Sequence, residues 1–418
     1  MATTSAPSQH PMQLRRLLGL AALSVLLTAC SGAQPSGAPS AAIGEQTAMA
    51  GSGVAPVALP PATLEARPEG RLIDAHAHIG GPELAPTATA VMDENGIDYL
   101  FNLSGGSPRR GMAKALALEK ATGGRVLSFM VPYYEGIDEP GIGETLAAEL
   151  RISVTKFGYA GLKIPKSLGL YLRDDNNKLV AVDDPRLFPL WREAGALGVP
   201  ILIHVADPAA FWKPSTPDNE RFEELSAHPR WSFADSSVYP PREELLRGFE
   251  ALVKQFPATT WVGVHACHNA EDLTYIDRML STYPNLHMDI GARVPELGRH
   301  PAGEVGALFE KFADRILFAT DIGIMQDRTG GTIFTLGSSG DEPDKREAVK
   351  PFYDAHRRYL ETGDIDIAHP TPIQGRWTVD AIALSAPTLD KLYYLNAYRL
   401  VVGPTLQRRA KIAAGIAP

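Results

Sequence analysis

The sequence predicts a parallel (β/α)8 barrel, and three observations support this prediction. Eight short apolar runs with strand character alternate with helix-like segments along the chain, and several of these runs end on a single polar residue. No Gly-x-Gly-x-x-Gly motif follows the first run, which disfavours the rival fold, an open doubly wound sheet. The 418 residues are 44% hydrophobic and 21% charged, enough for one large domain or two modest ones.

Residues 1–29 are predicted to be an export signal and are excluded from the fold. Arg15 and Arg16 precede an apolar run over residues 17–27, which is too short for a membrane-spanning helix. The run closes in Leu-Thr-Ala-Cys, and this sequence resembles a bacterial lipobox. The pattern predicts cleavage before Cys30, lipidation of Cys30 and anchoring in the cell envelope, outside the cytoplasm. An ordinary cleaved secretory signal is the alternative.

Residues 30–63 are predicted to form a flexible tether, because Ala, Gly, Pro and Ser dominate there and bury too little apolar surface to offset chain entropy. The folded domain is predicted to span residues 64–418. Cys267 is the only cysteine besides Cys30, and we interpret it as a small buried residue, with a ligand or nucleophile as the alternative. The formal net charge of −8, which becomes −10 without the leader, argues against a nucleic-acid partner.

The predicted strands and helices follow one another along the domain. The eight strands cover residues 72–78, 99–103, 126–131, 161–164, 200–204, 261–265, 286–289 and 316–320. The helix-like segments cover residues 112–121, 185–197, 242–255, 272–282, 303–312, 345–360 and 388–401. The apolar spacing of the last segment is typical of core packing rather than of contact with a cofactor.

Two long connections follow predicted strands, so in a barrel they would lie over the catalytic face. Residues 206–239 carry a phenylalanine, two tryptophans and a tyrosine among prolines, which predicts an aromatic pocket wall. Residues 323–347 are rich in Gly, Thr and Ser, which predicts a mobile lid. An ordinary surface loop without a functional role is the alternative for each connection.

The first strand contains two histidines separated by one residue. Successive side chains of a strand point to opposite faces, so His76 and His78 share one face and can bind the same metal ion. Zinc and similar ions favour imidazole nitrogen and carboxylate oxygen, and three protein ligands with an open position make a catalytic site. Taken alone, the pair also fits two partly exposed polar residues.

Three later strands each end on a residue of the metal-ligand type. These residues are His204 on strand five, His265 on strand six and Asp321 on strand eight. Because the carboxyl ends of parallel strands meet on one face of a barrel, all five residues are expected close together. One such histidine fits an ordinary rim residue, whereas five residues in this pattern predict a metal site.

With these residues placed, the chain resembles the amidohydrolase superfamily. The resemblance is closest to the amidohydrolase-related branch that includes aminocarboxymuconate-semialdehyde decarboxylase. The matching stretches are residues 74–78, 161–164, 203–204, 263–265, 288–293, 316–321 and 391–397. They span roughly residues 71–402, whereas the loops match no substrate pattern in length or aromatic content.

The resemblance implies a divalent ion held by His76, His78, His204 and Asp321, with His265 beside it. The predicted cofactor is one zinc ion, with manganese as an alternative. A bound divalent ion lowers the pKa of its water to about 7 and polarises a substrate carbonyl. We therefore assign Asp321 as ligand and proton acceptor, and His265 as the residue that orients the water or the substrate oxygen.

Three more residues have alternative interpretations. Lys163 is predicted to be unmodified and to bind a substrate carboxylate, the alternatives being a carbamate that bridges two ions, a pair with a nearby acid or a rim lysine. Arg293 either holds a substrate carboxylate or forms a structural salt bridge to Asp289 or Glu296. Asp74, which is expected on the face of the two histidines but deeper, either orients a ligating imidazole or is a buried structural carboxylate.

The predicted function is metal-dependent hydrolysis of an amide, lactone or ester bond in a small molecule. The enzymatic alternative is non-oxidative decarboxylation of an aromatic or muconate-type acid, because the same branch contains carboxy-lyases with the same ligands. A non-catalytic, surface-anchored binding protein is the third interpretation. The complete ligand set argues against it, since a binding protein needs no open metal position.

Overall fold

The computed structural model describes residues 59–417, which lie in one compact unit. The predicted export signal, Cys30 and the tether as far as residue 58 lie outside the described residues. The end of the tether lies against the C-terminal part of the domain, where Gln407 Nε2 donates to the Pro60 carbonyl at 2.9 Å and Tyr398 OH donates to the Pro61 carbonyl at 3.3 Å. Within residues 59–417, no helix combines the length and apolar character needed to cross a membrane.

Eight parallel strands form the barrel, which confirms the predicted fold class. They are β1 (Leu72–Ile79), β2 (Ile97–Asn102), β3 (Val126–Met130), β4 (Gly161–Ile164), β5 (Ile201–Ile203), β6 (Trp261–Gly263), β7 (Leu286–Asp289) and β8 (Ile316–Leu317). Each strand pairs with the next one along the chain. The barrel closes where Ala75 N–H donates to the Phe318 carbonyl and Asp321 N–H donates to the His76 carbonyl, both at 2.9 Å.

A β-hairpin after β8 corrects the prediction that residues 323–347 form a mobile lid. Strand β9 (Ile322–Gln326) runs parallel to the end of β1, and strand β10 (Thr332–Leu336) pairs antiparallel with β9. The side chains of Ile322, Ile324 and Phe334 are buried, which stabilises this stretch as strands despite its glycine content. The first half of the predicted lid is therefore part of the sheet.

Helices cover the outside of the barrel at the predicted segments and also at Ala85–Glu94 and Ile142–Phe157, which were not among them. Those of at least five residues are Ala85–Glu94, Met112–Ala121, Ile142–Phe157, Phe188–Ala196, Phe222–Ala227, Arg242–Gln255, Leu273–Thr282, Ala302–Lys311, Val349–Glu361, Ala386–Asp390 and Gly403–Ala413. A four-residue helix lies at Val294–Leu297, whereas the short turns at Ser167–Leu170 and Val264–Cys267 contain residues with non-helical backbone angles. The predicted helix over residues 388–401 is longer than expected, since π-helical turns at Lys391–Leu395 and Tyr398–Val402 lead into the last helix.

The helix Arg242–Gln255 shows how the sequence specifies these elements. Its buried apolar residues recur at helical spacing, so that one stripe faces the barrel: Leu245, Leu246, Phe249, Leu252 and Val253. Two glutamates lie in its first turn and Lys254 in its last, where their charges complement the helix dipole. The helix therefore packs its apolar stripe on the sheet and leaves its charged face outside.

The barrel interior near the amino ends of the strands is filled by apolar side chains. We call this cluster the floor of the barrel, and it comprises Ile73, Ala75, Phe101, Leu103, Leu127, Phe129, Ala160, Leu202, Val262, Val264, Leu317, Ala319, Tyr394, Ala397, Tyr398, Val401 and Val402. The last five come from the C-terminal segments, which seal this end of the barrel. A second, larger cluster packs the helices against the outside of the sheet.

Asp74 does not share the face of the two histidines of β1, which corrects one sequence-based expectation. The pairing of β1 with β2 is irregular between Asp74 and Ala77, and this shift interrupts the alternation of faces. The Asp74 carboxylate instead accepts hydrogen bonds from Thr320 Oγ1 and Tyr353 OH, both at 2.6 Å. Asp74 is thus a buried structural carboxylate that joins β1 to the helix Val349–Glu361.

Candidate metal and substrate site

Three ligand-type side chains meet at the carboxyl ends of β1 and β8. His76 Nε2 and His78 Nε2 lie 3.4 Å and 3.5 Å from Asp321 Oδ1. A tetrahedral zinc ion with ligands at about 2.1 Å holds neighbouring ligand atoms about 3.4 Å apart, so the spacing fits one ion. These three residues can therefore hold a divalent metal and leave a position open for water or substrate.

Hydrogen bonds to the far ring nitrogens orient two of the imidazoles. His76 Nδ1 lies 2.8 Å from Asp289 Oδ2, and His265 Nδ1 lies 2.7 Å from the Gly291 carbonyl. A carboxylate and a carbonyl accept hydrogen bonds, so each Nδ1 carries the proton and each Nε2 keeps a free lone pair. Both Nε2 atoms face Asp321, and this donor set fits a metal ion with a proton acceptor beside it.

His265 lies in a left-handed turn directly after β6. The φ angles of His265, Ala266, Cys267 and His268 are 57°, 54°, 53° and 64°. Left-handed backbone costs a residue with a side chain about 1–2 kcal/mol, and such strain concentrates at functional sites. The turn ends the strand abruptly and brings His265 Nε2 to 3.9 Å from Asp321 Oδ2. Cys267 is buried and free, as predicted.

His204 lies beside the ligand group but is not part of it in this structure. Its ring centroid is 4.4 Å from that of His265, and its Nε2 lies 3.0 Å from Asp207 Oδ1. Although burial acts to raise the pKa of the Asp207 carboxyl, the charges of Lys166, His204 and Arg293 hold that pKa well below its usual range. Nε2 of His204 is thus engaged by a carboxylate, and three of the four predicted ligands, His76, His78 and Asp321, come together in the structure.

Lys163 lies inside the barrel, below the ligand group. It is 3% exposed, and its Nζ has no hydrogen-bond partner among the described residues. Burial lowers the pKa of Lys163 to about 8, while the charges of Asp289 and Asp321 oppose that shift. Lys163 is not among the residues that line the cavity above the ligand group, and its contact with a substrate carboxylate stays a prediction.

A cavity of about 300 Å³ opens above the ligand group, and its volume suits a small molecule. The ligand side of its wall carries His78, His265 and Asp321. The long aromatic connection contributes Phe211 and Trp231, which confirms its predicted place in the pocket wall. The segment after β10 contributes Gly337, Ser338 and Ser339.

Arg293 lines the same cavity, and neither of its predicted salt-bridge partners contacts it. Arg293 Nη2 lies 3.7 Å from Asp207 Oδ1, and Nη1 donates to the Ala292 carbonyl at 2.6 Å. Asp289 and Glu296, the expected partners, bond to other residues. The Arg293 side chain extends across the barrel mouth towards Asp207 after β5, and it does not turn back to the segment that carries Asp289 and Glu296.

Sequence reasoning missed the roles of Asp207, Asp289 and Lys166. Asp289 ends β7 in the same way that the ligands end their strands, so its position alone could have identified it. Asp207 follows His204 by three residues, close enough to suggest a partner. Lys166 lies two residues beyond β4, where no periodic pattern marks it.

An amidohydrolase family profile matches residues 73–401 of the chain. The solved structures similar to the chain include a 2,6-dihydroxybenzoate decarboxylase from Rhizobium, which is 16% identical with a TM-score of 0.45 over 79% of this chain and 98% of that one. An uncharacterised TIM-barrel protein from Bordetella bronchiseptica is 14% identical, with a TM-score of 0.46 over 80% and 99% of the two chains. A 4-oxalomesaconate hydratase from Rhodopseudomonas palustris is 16% identical, with a TM-score of 0.43 over 79% and 84%. No curated protein sequence matches the chain.

Proposed function

The chain belongs to the amidohydrolase family, and from that membership we propose that it is a metal-dependent hydrolase of an amide, lactone or ester bond in a small molecule. The observation that carries this proposal is the placement of the two oxygens of Asp321. Oδ1 faces the Nε2 atoms of His76 and His78, while Oδ2 faces His265 across 3.9 Å. One oxygen is thus available to a metal ion, and the other is free to accept a proton.

The proposed cofactor is one zinc ion, with manganese as the alternative. His76, His78 and Asp321 would hold it, with His204 adjacent. When bound, the ion would lower the pKa of its water to about 7 and polarise the substrate carbonyl.

The residues of the chain then perform the proton steps. Asp321 Oδ2 takes a proton from the attacking water, whose oxygen bonds to the carbonyl carbon of the substrate. His265 Nε2, a lone-pair acceptor fixed by its bond to Gly291, orients that water. As the bond to the leaving nitrogen or oxygen breaks, Asp321 returns the proton to the leaving atom. Asp321 therefore acts first as base and then as acid.

Turnover in ¹⁸O-labelled water tests this function. We expect zinc-loaded protein, screened against lactones, amides and esters, to place the label in the product acid, and mass spectrometry measures the incorporation. Asp321→Asn should lower kcat/KM by about 10²–10⁴, because the proton acceptor is lost. Metal content measured in parallel separates lost ligation from lost proton transfer. The control Asp314→Asn alters an exposed carboxylate and should keep full activity.

A second candidate, non-oxidative decarboxylation, is favoured by one specific observation. Lys166 and Arg293 both line the cavity, and two cations there could hold an acidic substrate. Carbon dioxide released without label in the organic product would support this reaction and overturn hydrolysis.

We also propose that Cys30 carries a lipid that anchors the protein to a membrane outside the cytoplasm. The proposal is supported by the apolar run and the Leu-Thr-Ala-Cys sequence. Cys30→Ala should move the protein from the membrane fraction to the soluble fraction without loss of activity. Membrane association that persists in the folded variant would contradict the lipid anchor.

A further inference from the structure

Lys166 projects into the cavity just after β4, held among aromatic rings. Its Nζ lies 4.7 Å from the ring centroid of Trp231 and 5.9 Å from those of Phe211 and Phe233. It also lies 2.6 Å from Asp207 Oδ2. Cation–π contacts and one ion pair therefore fix the ammonium in place, and Lys166 lines the same cavity as Asp321.

The single negative charge of Asp207 does not neutralise both Lys166 and Arg293 in the cavity wall. Two permanent cations, Lys166 and Arg293, converge on its single carboxylate, and the His204 imidazole bonds to it as well. Over Lys166, Arg293 and Asp207 one positive charge is therefore in surplus, whereas Arg221, a further cation of the cavity lining, is paired with Glu224 and Glu296. A surplus charge in a partly desolvated wall attracts an anion more strongly than the same charge in water.

Among Lys163, Lys166, Arg221 and Arg293, Lys166 is the cation most accessible to a substrate, and Arg221 is only 1% exposed. The Lys166 side chain is 20% exposed, compared with 7% for Arg293, and Lys163 as a residue is 3% exposed. Arg293 is further engaged by the Ala292 carbonyl, whereas an ammonium has three donors and Asp207 uses one of them. Accessibility and unused donors both single out Lys166.

We propose that Lys166 is the specificity-determining residue that binds a carboxylate of the substrate, in place of the sequence-predicted Lys163 and Arg293. The substrate would be a small organic acid with its carboxylate at Lys166 and its reacting carbonyl at Asp321. This assignment rests on the proposed function of the same cavity. Phe211 and Trp231 add an apolar surface beside the carboxylate and exclude water from the ion pair.

Binding of benzoate and of its neutral analogue benzamide tests the assignment, measured by isothermal titration calorimetry with and without added zinc. We expect the intact protein to bind benzoate more tightly than benzamide under both conditions. Lys166→Met should weaken benzoate binding by about 10–100-fold, as the loss of a charge-assisted hydrogen bond predicts, and leave benzamide binding nearly unchanged. Lys166→Arg should retain the preference for benzoate.

Two further variants make the outcome decisive. Lys166→Gln repeats the test with a polar side chain, in case Lys166→Met fails to fold. Lys213→Met removes an exposed lysine of the aromatic connection after β5 that does not line the cavity. An unchanged benzoate-to-benzamide ratio in Lys166→Gln, or an equal loss in Lys213→Met, would overturn the assignment. Charge preference without label incorporation from water would instead reject the hydrolase and leave the Lys166 assignment intact.

Discussion

The two ends of the barrel interior are formed by the same strands and connections but filled in opposite ways. At the floor the side chains are almost all apolar and buried. At the other end, which we call the rim, the interior holds His76, Lys163, His265, Asp289 and Asp321. Identical backbone architecture therefore supports a packed core at one end and a group of ionisable residues at the other.

The two ends make different contributions: the floor stabilises the fold, and the rim carries the ionisable groups. Each Å² of apolar surface buried at the floor contributes about 25 cal/mol to folding. Buried ionisable groups at the rim cost free energy unless they are paired, and the left-handed turn from His265 to His268 adds backbone strain. The floor therefore supplies the stability that allows an unfavourable but reactive rim to persist.

The largest effect should follow from removal of a rim ligand. His76→Ala deletes a ligand together with its bond to Asp289, and we expect zinc content to fall and kcat/KM to drop by at least about 10³. Circular dichroism should show an intact fold, because the floor is untouched. His300→Ala, a half-buried histidine outside the cavity, is the matched control. Full activity in His76→Ala would show that the metal ligands of the rim do not take part in catalysis.

A floor variant should show the reverse pattern. Leu127 is fully buried in the floor on β3, a strand that carries no site residue. Leu127→Ala should lower the free energy of unfolding by about 3–5 kcal/mol, because it leaves a cavity, while kcat at low temperature stays near wild type. Urea unfolding measures the first quantity, and the exposed Leu59→Ala should change it little. A large fall in kcat without unfolding would mean that floor and rim are not separable.

The variant Asp289→Asn tests whether metal binding at the rim depends on residues that hydrogen-bond to the ligands. Asp289→Asn keeps the size of the side chain but weakens its bonds to His76 Nδ1 and to the His265 amide. Zinc affinity, measured by competition with a chelating dye, should fall by about 10–100-fold. The exposed Asp314→Asn should leave it unchanged, and equal affinities in both variants would show that the orientation of His76 does not need Asp289.

The smallest effect concerns backbone strain. Ala266 and Ala160 are both fully buried, but Ala266 has φ of 54° at the rim, while Ala160 lies in the floor without positive φ. Ala160→Gly should cost about 1–2 kcal/mol, from a lost methyl group and added chain entropy. In Ala266→Gly, relief of strain should offset that loss to within about 0.5 kcal/mol. An equal loss of stability in Ala266→Gly and Ala160→Gly, measured by thermal unfolding, would show that the turn stores no strain.

The sequence predicted the features that depend on local pattern. The His-x-His pair, the polar strand ends at His204, His265 and Asp321, and the amphipathic helices follow from periodicity, and the structure places these residues at the barrel mouth. Features that depend on irregular or distant contacts were missed. The shift in β1 moves Asp74 to the other face, and no local signal reports it.

Two further differences from the sequence-based interpretations have the same origin. The Gly, Thr and Ser content of residues 323–347 as a whole predicted a lid, whereas the apolar stretches inside it form β9, which pairs with β1, and β10, which pairs with β9. Arg293 pairs with Asp207, 86 positions away in sequence, whereas the salt bridge considered as the alternative to substrate binding used carboxylates much nearer in sequence. Both depend on which strands become neighbours once the barrel closes.

The chain enters the domain beside the floor, where Pro60 and Pro61 bond to the C-terminal segments and Leu64 packs on the floor cluster. The cavity lies at the opposite pole, beyond the carboxyl ends of the strands. Residue 59, the first that the structure describes, therefore lies at the pole opposite the entrance of the cavity. Immobilisation through this residue would keep that entrance directed at the surrounding solution.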